Sequence, residues 1–556
     1  MLVNSVWLVV VLFISSAWAQ AGVTVTIANG QIQGRQESTY KGTTFYAFQE
    51  IPYAKPPVGN LRFMAPQPVE DWSGVLDATS NNKICYQTSD TTSFTQTEDC
   101  LYVNVYTPVA PGTNGSLPVM FYIFGGGFLN GHAVYQSYGP HLFMDQGVIV
   151  VTVNYRIGPF GFMSTGDSVI PGNMGLKDQQ LALKWVQTNI GYFGGDPTKV
   201  TLFGLSAGAA SVTLQMLGKG SEGLFRGAIS ESGSSLCPWA YQRGHKDIAY
   251  NMAAYLNPSF SKSSSSQELL TFLQSVTPDQ VIASTRTFPG GLGRDQMVQG
   301  FMYAPVVEDE HEGAFLTQRQ YDAVASGGTN PVPLLIGIMS EEQLSKAADR
   351  NSFANELSQY DQNPGALVND NMHINDATKA TAGDAIRKIY TSGTLASDIA
   401  AGVHYFSDVS FSLPIMHNAR LHSAFKDVYF FQFSYHGDMV SWNNVFVEGC
   451  GKVQHAEDNS YLWNGNIEQY ATAADVLTSK RYVKLFTNFA KNLNPTPEAD
   501  DLFGVVWPTL ASTGPFQYLD IAEDGSLQIK SDPKGEHYQQ WVDLYESMAV
   551  KPYDTF

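Results

Sequence analysis

The sequence predicts an α/β protein in which one large, mostly parallel central sheet is flanked by helices. Three observations lead there. Continuous apolar runs rich in β-branched and aromatic residues recur at 119–123, 148–153, 200–203, 334–336 and 428–435, and runs without polar alternation mark strands buried on both faces. Longer amphipathic stretches separate them. The one at 176–189, with Leu176, Leu181, Leu183, Trp185 and Val186 as its apolar positions, predicts a packed crossover helix. Across 556 residues no Gly/Ser-rich linker, charge block or internal repeat marks a boundary, so residues 20–556 read as a single large domain.

The amino-terminal segment differs in kind. Residues 6–14 are apolar and are followed by Ser15, Ser16 and the small-residue pattern Ala17-Trp18-Ala19, which is how a secretory signal peptide with cleavage after Ala19 reads. An apolar run of that length is too short to span a bilayer, which takes about 20 residues. No other run is apolar enough, so the expectation is a secreted, extracellular protein without a membrane span.

Charge and composition narrow the partners. A formal net charge of −19 disfavours an electrostatic grip on nucleic acid or anionic lipid. With 44% hydrophobic and 12% aromatic residues the chain has the means to bury a large core, which excludes a disordered protein. Of the four cysteines, Cys85 and Cys100 bracket a polar Ser/Thr-rich loop and are expected to form a disulfide in an oxidising compartment. Cys237 and Cys450 either pair or stay free. No CxxC and no His-rich tract occurs, so no metal site is expected. Asn114-Gly115-Ser116 is an acceptor sequon for N-glycosylation at Asn114, in a stretch that reads as an exposed loop.

At the end of the predicted 200–203 strand stands Gly204-Leu205-Ser206-Ala207-Gly208, followed by the small-residue helix start Ala209-Ala210-Ser211. Strand before and helix after turn a weak pattern into a nucleophile elbow: flanking glycines let the chain turn sharply and present the Ser206 hydroxyl at the top of the sheet. A serine hydroxyl needs a histidine base and a carboxylate that orients it. With the chain order serine, acid, histidine, His455 in a loop-like setting is the leading base and His436 its rival; the other downstream histidines read as helix or surface residues. Glu342, a short turn beyond the 334–336 strand, suits the acid, and Glu341 competes on residue type alone. Gly125-Gly126-Gly127 follows the 119–123 strand and frees backbone amides for close approach. The N–H groups of Gly126, Gly127 and Ala207 therefore read as a three-donor oxyanion hole. The alternative, a phosphate-cradling loop, lacks the Lys and Ser/Thr of a P-loop.

Over nearly its whole length the chain resembles the type-B carboxylesterase/cholinesterase family of α/β-hydrolases, and most of all secreted insect carboxylesterases. The matching blocks are Ile51-Pro52-Tyr53-Ala54 with Pro56-Pro57-Val58-Gly59 and Leu61-Arg62-Phe63; Glu98-Asp99-Cys100-Leu101-Tyr102-Val103-Asn104-Val105; Asn154-Tyr155-Arg156 with Gly161-Phe162; Gly172-Asn173 with Asp178-Gln179; Phe193-Gly194-Gly195-Asp196-Pro197; and Glu231-Ser232-Gly233. The resemblance implies the α/β-hydrolase fold and selects Glu342 over Glu341 and His455 over His436. It places the family's amino-terminal disulfide on Cys85 and Cys100, and makes Ser232 a serine that supports the triad from behind. Three positions depart from the family pattern: Phe124 for His or Tyr, Gln343 for the glycine after the acid, and Glu50 for a glycine before Ile-Pro-Tyr.

What the resemblance implies for activity is a serine carboxylesterase that needs no cofactor and acts on a small-molecule ester. The loop closed by the disulfide holds Tyr86 and Phe94 but no tryptophan, the residue that cholinesterases use there to hold a quaternary ammonium. Neutral, apolar esters of xenobiotic, dietary, odorant or hormone type are therefore expected. Leu205 stands where juvenile-hormone esterases typically carry Gln, which weighs against that assignment. The competing readings are a catalytically silent binding or adhesion protein, a class that typically loses a triad member or carries a transmembrane stalk, and a lipase.

Overall fold

The computed structural model describes residues 22–89, 93–113, 115–287, 295–439, 444–463, 466, 469, 471–498 and 500–556. The leader 1–19 and the sequon residue Asn114 lie outside them. Thirteen strands form the main sheet. They are β1 (Gly22–Ile27), β2 (Gly30–Ser38), β3 (Thr44–Pro52), β4 (Val75–Asp77), β7 (Tyr102–Thr107), β8 (Leu117–Ile123), β9 (Ile149–Val153), β10 (Gly195–Leu205), β11 (Gly227–Glu231), β12 (Leu334–Met339), β13 (Val428–Phe433), β14 (Gln517–Ile521) and β15 (Leu527–Ser531). Two further short strands pair by themselves: β5 (Lys83–Cys85), which ends on the first cysteine of the Cys85–Cys100 disulfide, and β6 (Thr95–Thr97), inside the loop that the disulfide closes.

The strand order is β1-β2-β3-β7-β9-β8-β10-β11-β12-β13-β14-β15, with β4 on β2. Pairing is parallel from β9 through β14 and antiparallel at both ends, except that β4 lies parallel to β2. Each apolar run predicted as a strand lies in this parallel centre. Strands β9, β11 and β12 are buried at every residue, as expected where helices cover both faces. The helix Met174–Asn189 carries the chain from β9 over β8 to β10. It buries Leu176, Leu183, Trp185 and Val186 together with Asp178 and Gln179. Asp178 is buried because Arg156 binds it through two nitrogens, at 2.7 and 2.8 Å, a bidentate pair that neutralises both charges.

The order places β8 between β9 and β10, where connections leave in opposite directions, and in such sheets ligands bind beyond the carboxyl ends of the strands at that point. Leu205 of β10 pairs with Glu231 of β11, and Glu231 with Gly337 of β12. Ser206, Ser232 and the turn leading to Glu342 therefore leave the sheet side by side. Among the described residues no helix is long and apolar enough to cross a membrane.

Candidate active site

Ser206 sits between β10 and the helix Ala207–Leu217 with φ 60° and ψ −124°, a strained conformation for a residue with a Cβ. Its N–H donates to the Glu231 carbonyl at 2.8 Å. The glycines around it serve a different purpose from the one expected. Neither Gly204 nor Gly208 adopts a positive φ. A Cβ on Gly208 would lie 2.0 Å from the Ile123 carbonyl oxygen, and one on Gly204 2.7 Å from the same atom. The glycines let β8 pass against the elbow; the serine itself makes the turn.

The end of β8 continues into the glycine loop. Gly126 and Gly127 have φ 107° and 63°. A Cβ on Gly125 would lie 2.6 Å from the Leu205 carbonyl oxygen, and one on Gly126 2.1 Å from that of Asn130. The loop is thus folded against the turn that carries Ser206. Phe124, which departs from the family pattern, is buried and stacks on Tyr155 with ring centres 4.4 Å apart, while the Tyr155 hydroxyl donates to the Phe124 carbonyl at 2.8 Å. Ala207 opens its helix, where the first amides have no intrahelical acceptor.

Glu342 and His455 meet on loops. Glu342 is fully buried. Its Oε1 accepts from the Ser232 hydroxyl at 2.7 Å and the Met339 N–H at 2.8 Å, and its Oε2 lies 2.8 Å from His455 Nδ1. The His455 N–H also donates to the Glu342 carbonyl, and the Glu341 N–H to that of Val453. Both rivals have other partners: Glu341 binds His404 Nδ1 at 3.0 Å, and His436 Nδ1 lies 3.4 Å from Glu457.

The two remaining family departures have physical explanations. Glu50 has φ 52°, the left-handed region that favours glycine, and its carboxylate accepts the N–H groups of Asn82 and Lys83. Gln343 has φ −109°, so no glycine is needed there, and its N–H donates to the Ser407 hydroxyl at 3.0 Å.

Two groups of residues escaped sequence reasoning. Trp239, fully buried, packs its ring against Phe128, Phe301 and Phe411 at 6.3, 5.7 and 5.5 Å, and Phe411 lies 4.4 Å from the His455 ring. These rings form an apolar wall running from the glycine loop to the histidine. Phe411 lies on a π-helical turn, Asp408–Ser412, where Pro414 lacks the N–H that would bond to the Ser410 carbonyl. The Trp239 indole N–H takes that acceptor at 2.7 Å. Pro414 was the available signal. Behind the elbow, Glu231 and Asp458 are buried, and among the described residues no lysine or arginine bonds to them. Burial raises both carboxyls, Asp458 to about 6; the Asp458 charge adds to the rise at Glu231, and the Glu342 charge to that at Asp458, while the Tyr482 hydroxyl donates to Asp458 at 2.8 Å.

Comparison with known proteins identifies the family. The Carboxylesterase family matches residues 21–541. The chain is 33% identical over 560 residues to a "Carboxylic ester hydrolase" of Bombus ignitus, covering 96% of this chain and 97% of that one. It is 32% identical over 547 residues to "Venom carboxylesterase-6" of Apis mellifera, covering 93% and 94%. Among solved structures, that of juvenile hormone esterase from Manduca sexta with OTFP covalently attached superposes with a TM-score of 0.82 at 27% identity, covering 95% of this chain and all of that one.

Proposed function

The chain belongs to the carboxylesterase family and is a carboxylic ester hydrolase, and on that premise we propose that Ser206, His455 and Glu342 are its catalytic triad and that its substrates are neutral, apolar esters. His455 takes the Ser206 proton as Oγ attacks the ester carbonyl, and the amides of Gly126, Gly127 and Ala207 receive the oxyanion. His455 protonates the departing alcohol. It then activates the water that releases the acid, while Glu342 orients the imidazole and stabilises its charge. The observation that carries this reading is the arrangement of Glu342: a fully buried carboxylate that binds Ser232 with one oxygen and His455 with the other.

The aromatic wall from Phe128 to Phe411 favours apolar groups next to the reacting carbonyl, because such rings bury large apolar area. The leader 1–19 supports secretion, and residues 20–556 act as one catalytic domain. The test is hydrolysis of a p-nitrophenyl acyl series from acetate to decanoate by the purified chain beside Ser206→Ala. Turnover that rises with acyl length and falls by about 10⁶ in the variant supports the proposal. Equal turnover by the two proteins overturns it.

A further inference from the structure

Glu341 and Glu342 are consecutive, and each holds a different histidine. Beyond His404 stands Cys450, whose Sγ lies 4.0 Å from His404 Nε2 and 4.0 Å from the Ala400 carbonyl oxygen. His404 Nδ1 lies 3.0 Å from Glu341 Oε2. Cys450, His404 and Glu341 thus stand in the order thiol, imidazole, buried carboxylate, one residue along the turn from the pair that Glu342 makes with His455.

We propose that Cys450, His404 and Glu341 form a second site, in which Cys450 is a reactive thiol that exchanges with small disulfides. Glu341 is buried and also accepts the Gly451 N–H, which fixes the carboxylate and with it the ring. Burial disfavours a charge on His404, but its hydrogen bonds to Cys450 and Glu341 and their charges outweigh this and push it up to about 10. Burial acts against ionised Glu341 as well; the charge of Lys534 and the His404 hydrogen bond outweigh it and bring that carboxyl down to about 2. The thiolate is the form of a cysteine that attacks, and the His404 ring stands beside this sulfur.

Cys450 is half-buried, whereas Cys237 is fully buried. The neighbours Glu341, His404 and Gly451, though not Cys450 itself, line a cleft of ≈ 610 Å³. The two cysteines are not bridged. In the exchange, the Cys450 sulfur attacks one sulfur of the disulfide and a new S–S bond forms as the old one breaks. The Cys450 sulfur is oxidised and the departing sulfur is reduced, leaving as a thiol with the proton from His404.

The test treats the full chain with 4,4′-dithiodipyridine and follows each cysteine by peptide mass, so it stands whatever ester the chain hydrolyses. Cys450 is expected to react at least about tenfold faster in the folded chain than in the same chain unfolded in urea, where His404 is gone from its side. Accessibility alone predicts the reverse order. His404→Gln, checked for an unchanged melting midpoint, is expected to slow folded Cys450 about tenfold or more. Reaction that is faster in the unfolded chain, or a folded His404→Gln that reacts as fast as the parent, would overturn the proposal.

Discussion

Ser206 and His455, the proposed nucleophile and its base, are held by different means. Ser206 is fixed by packing: Gly208, Gly204 and Gly125 leave no room for a Cβ against Ile123 and Leu205, and backbone in contact with backbone has no rotamer by which to yield. His455 belongs to an irregular loop, and bonds from the acid's turn hold it, namely His455 N–H to Glu342, Glu341 N–H to Val453 and Glu342 to the ring. One arm of the site is set by shape and the other by hydrogen bonds, so substitutions on the two arms should fail in different ways.

The largest effect is expected on the hydrogen-bonded arm. Glu342→Gln keeps the volume but removes the charge that orients His455, and kcat should drop by about 10⁴, with the thermal midpoint little changed. Gly208→Ala probes the other arm: the methyl meets the Ile123 carbonyl, and the loss should appear as stability, about 3 kcal/mol or more in chemical denaturation. If Gly208→Ala were instead fully stable, the claim that packing fixes the elbow would be wrong. Ser232→Ala takes one donor from the Glu342 carboxylate, a hydrogen bond to a charged group worth about 1.5–3 kcal/mol; kcat/KM should decline by roughly 10- to 100-fold, because that bond orients the acid.

The smallest effect concerns pH. Asp458 has a folded-state pKa of about 6, above the ordinary carboxyl value of about 3.9. Between these values the native state binds more proton than the unfolded state, so stability falls as pH rises through this window. Asp458→Asn should flatten that decline, as read by the difference between melting midpoints at pH 4.5 and 7. An identical decline in both proteins would remove Asp458 from the account.

The same division decides what the sequence made legible. The elbow and the glycine loop are local patterns at the ends of apolar strands, so Ser206, Gly126 and Gly127 are readable from short windows. Even so, the physical role of Gly204 and Gly208 emerged only when β8 was seen passing across them. Glu341 and Glu342 are inseparable by residue type because each has its own histidine, distant in the chain; only family likeness selected one. The wall of Trp239, Phe301 and Phe411 comes from three separate segments; the stretches 239–255 and 288–301 read as pocket walls in the sequence, but their geometry is set by contacts between segments and is not legible there. The antiparallel edges β1–β3 and β14–β15 were not anticipated because one-face strands of mixed polarity, such as Gly22–Ile27, lack the continuous apolar signal of the centre.

The central claim is that Ser206, activated through His455, is the nucleophile. A fluorophosphonate reacts covalently with such a serine and with few others, because it needs the same activated hydroxyl. The decisive measurement is stoichiometric labelling of the purified chain, followed by mapping of the labelled peptide by mass. The account predicts one phosphonyl group per chain on Ser206, none in Ser206→Ala, and labelling of His455→Gln slowed by orders of magnitude in a protein that still melts cooperatively. A folded parent chain that takes up no label, or takes it up at another residue, would contradict it.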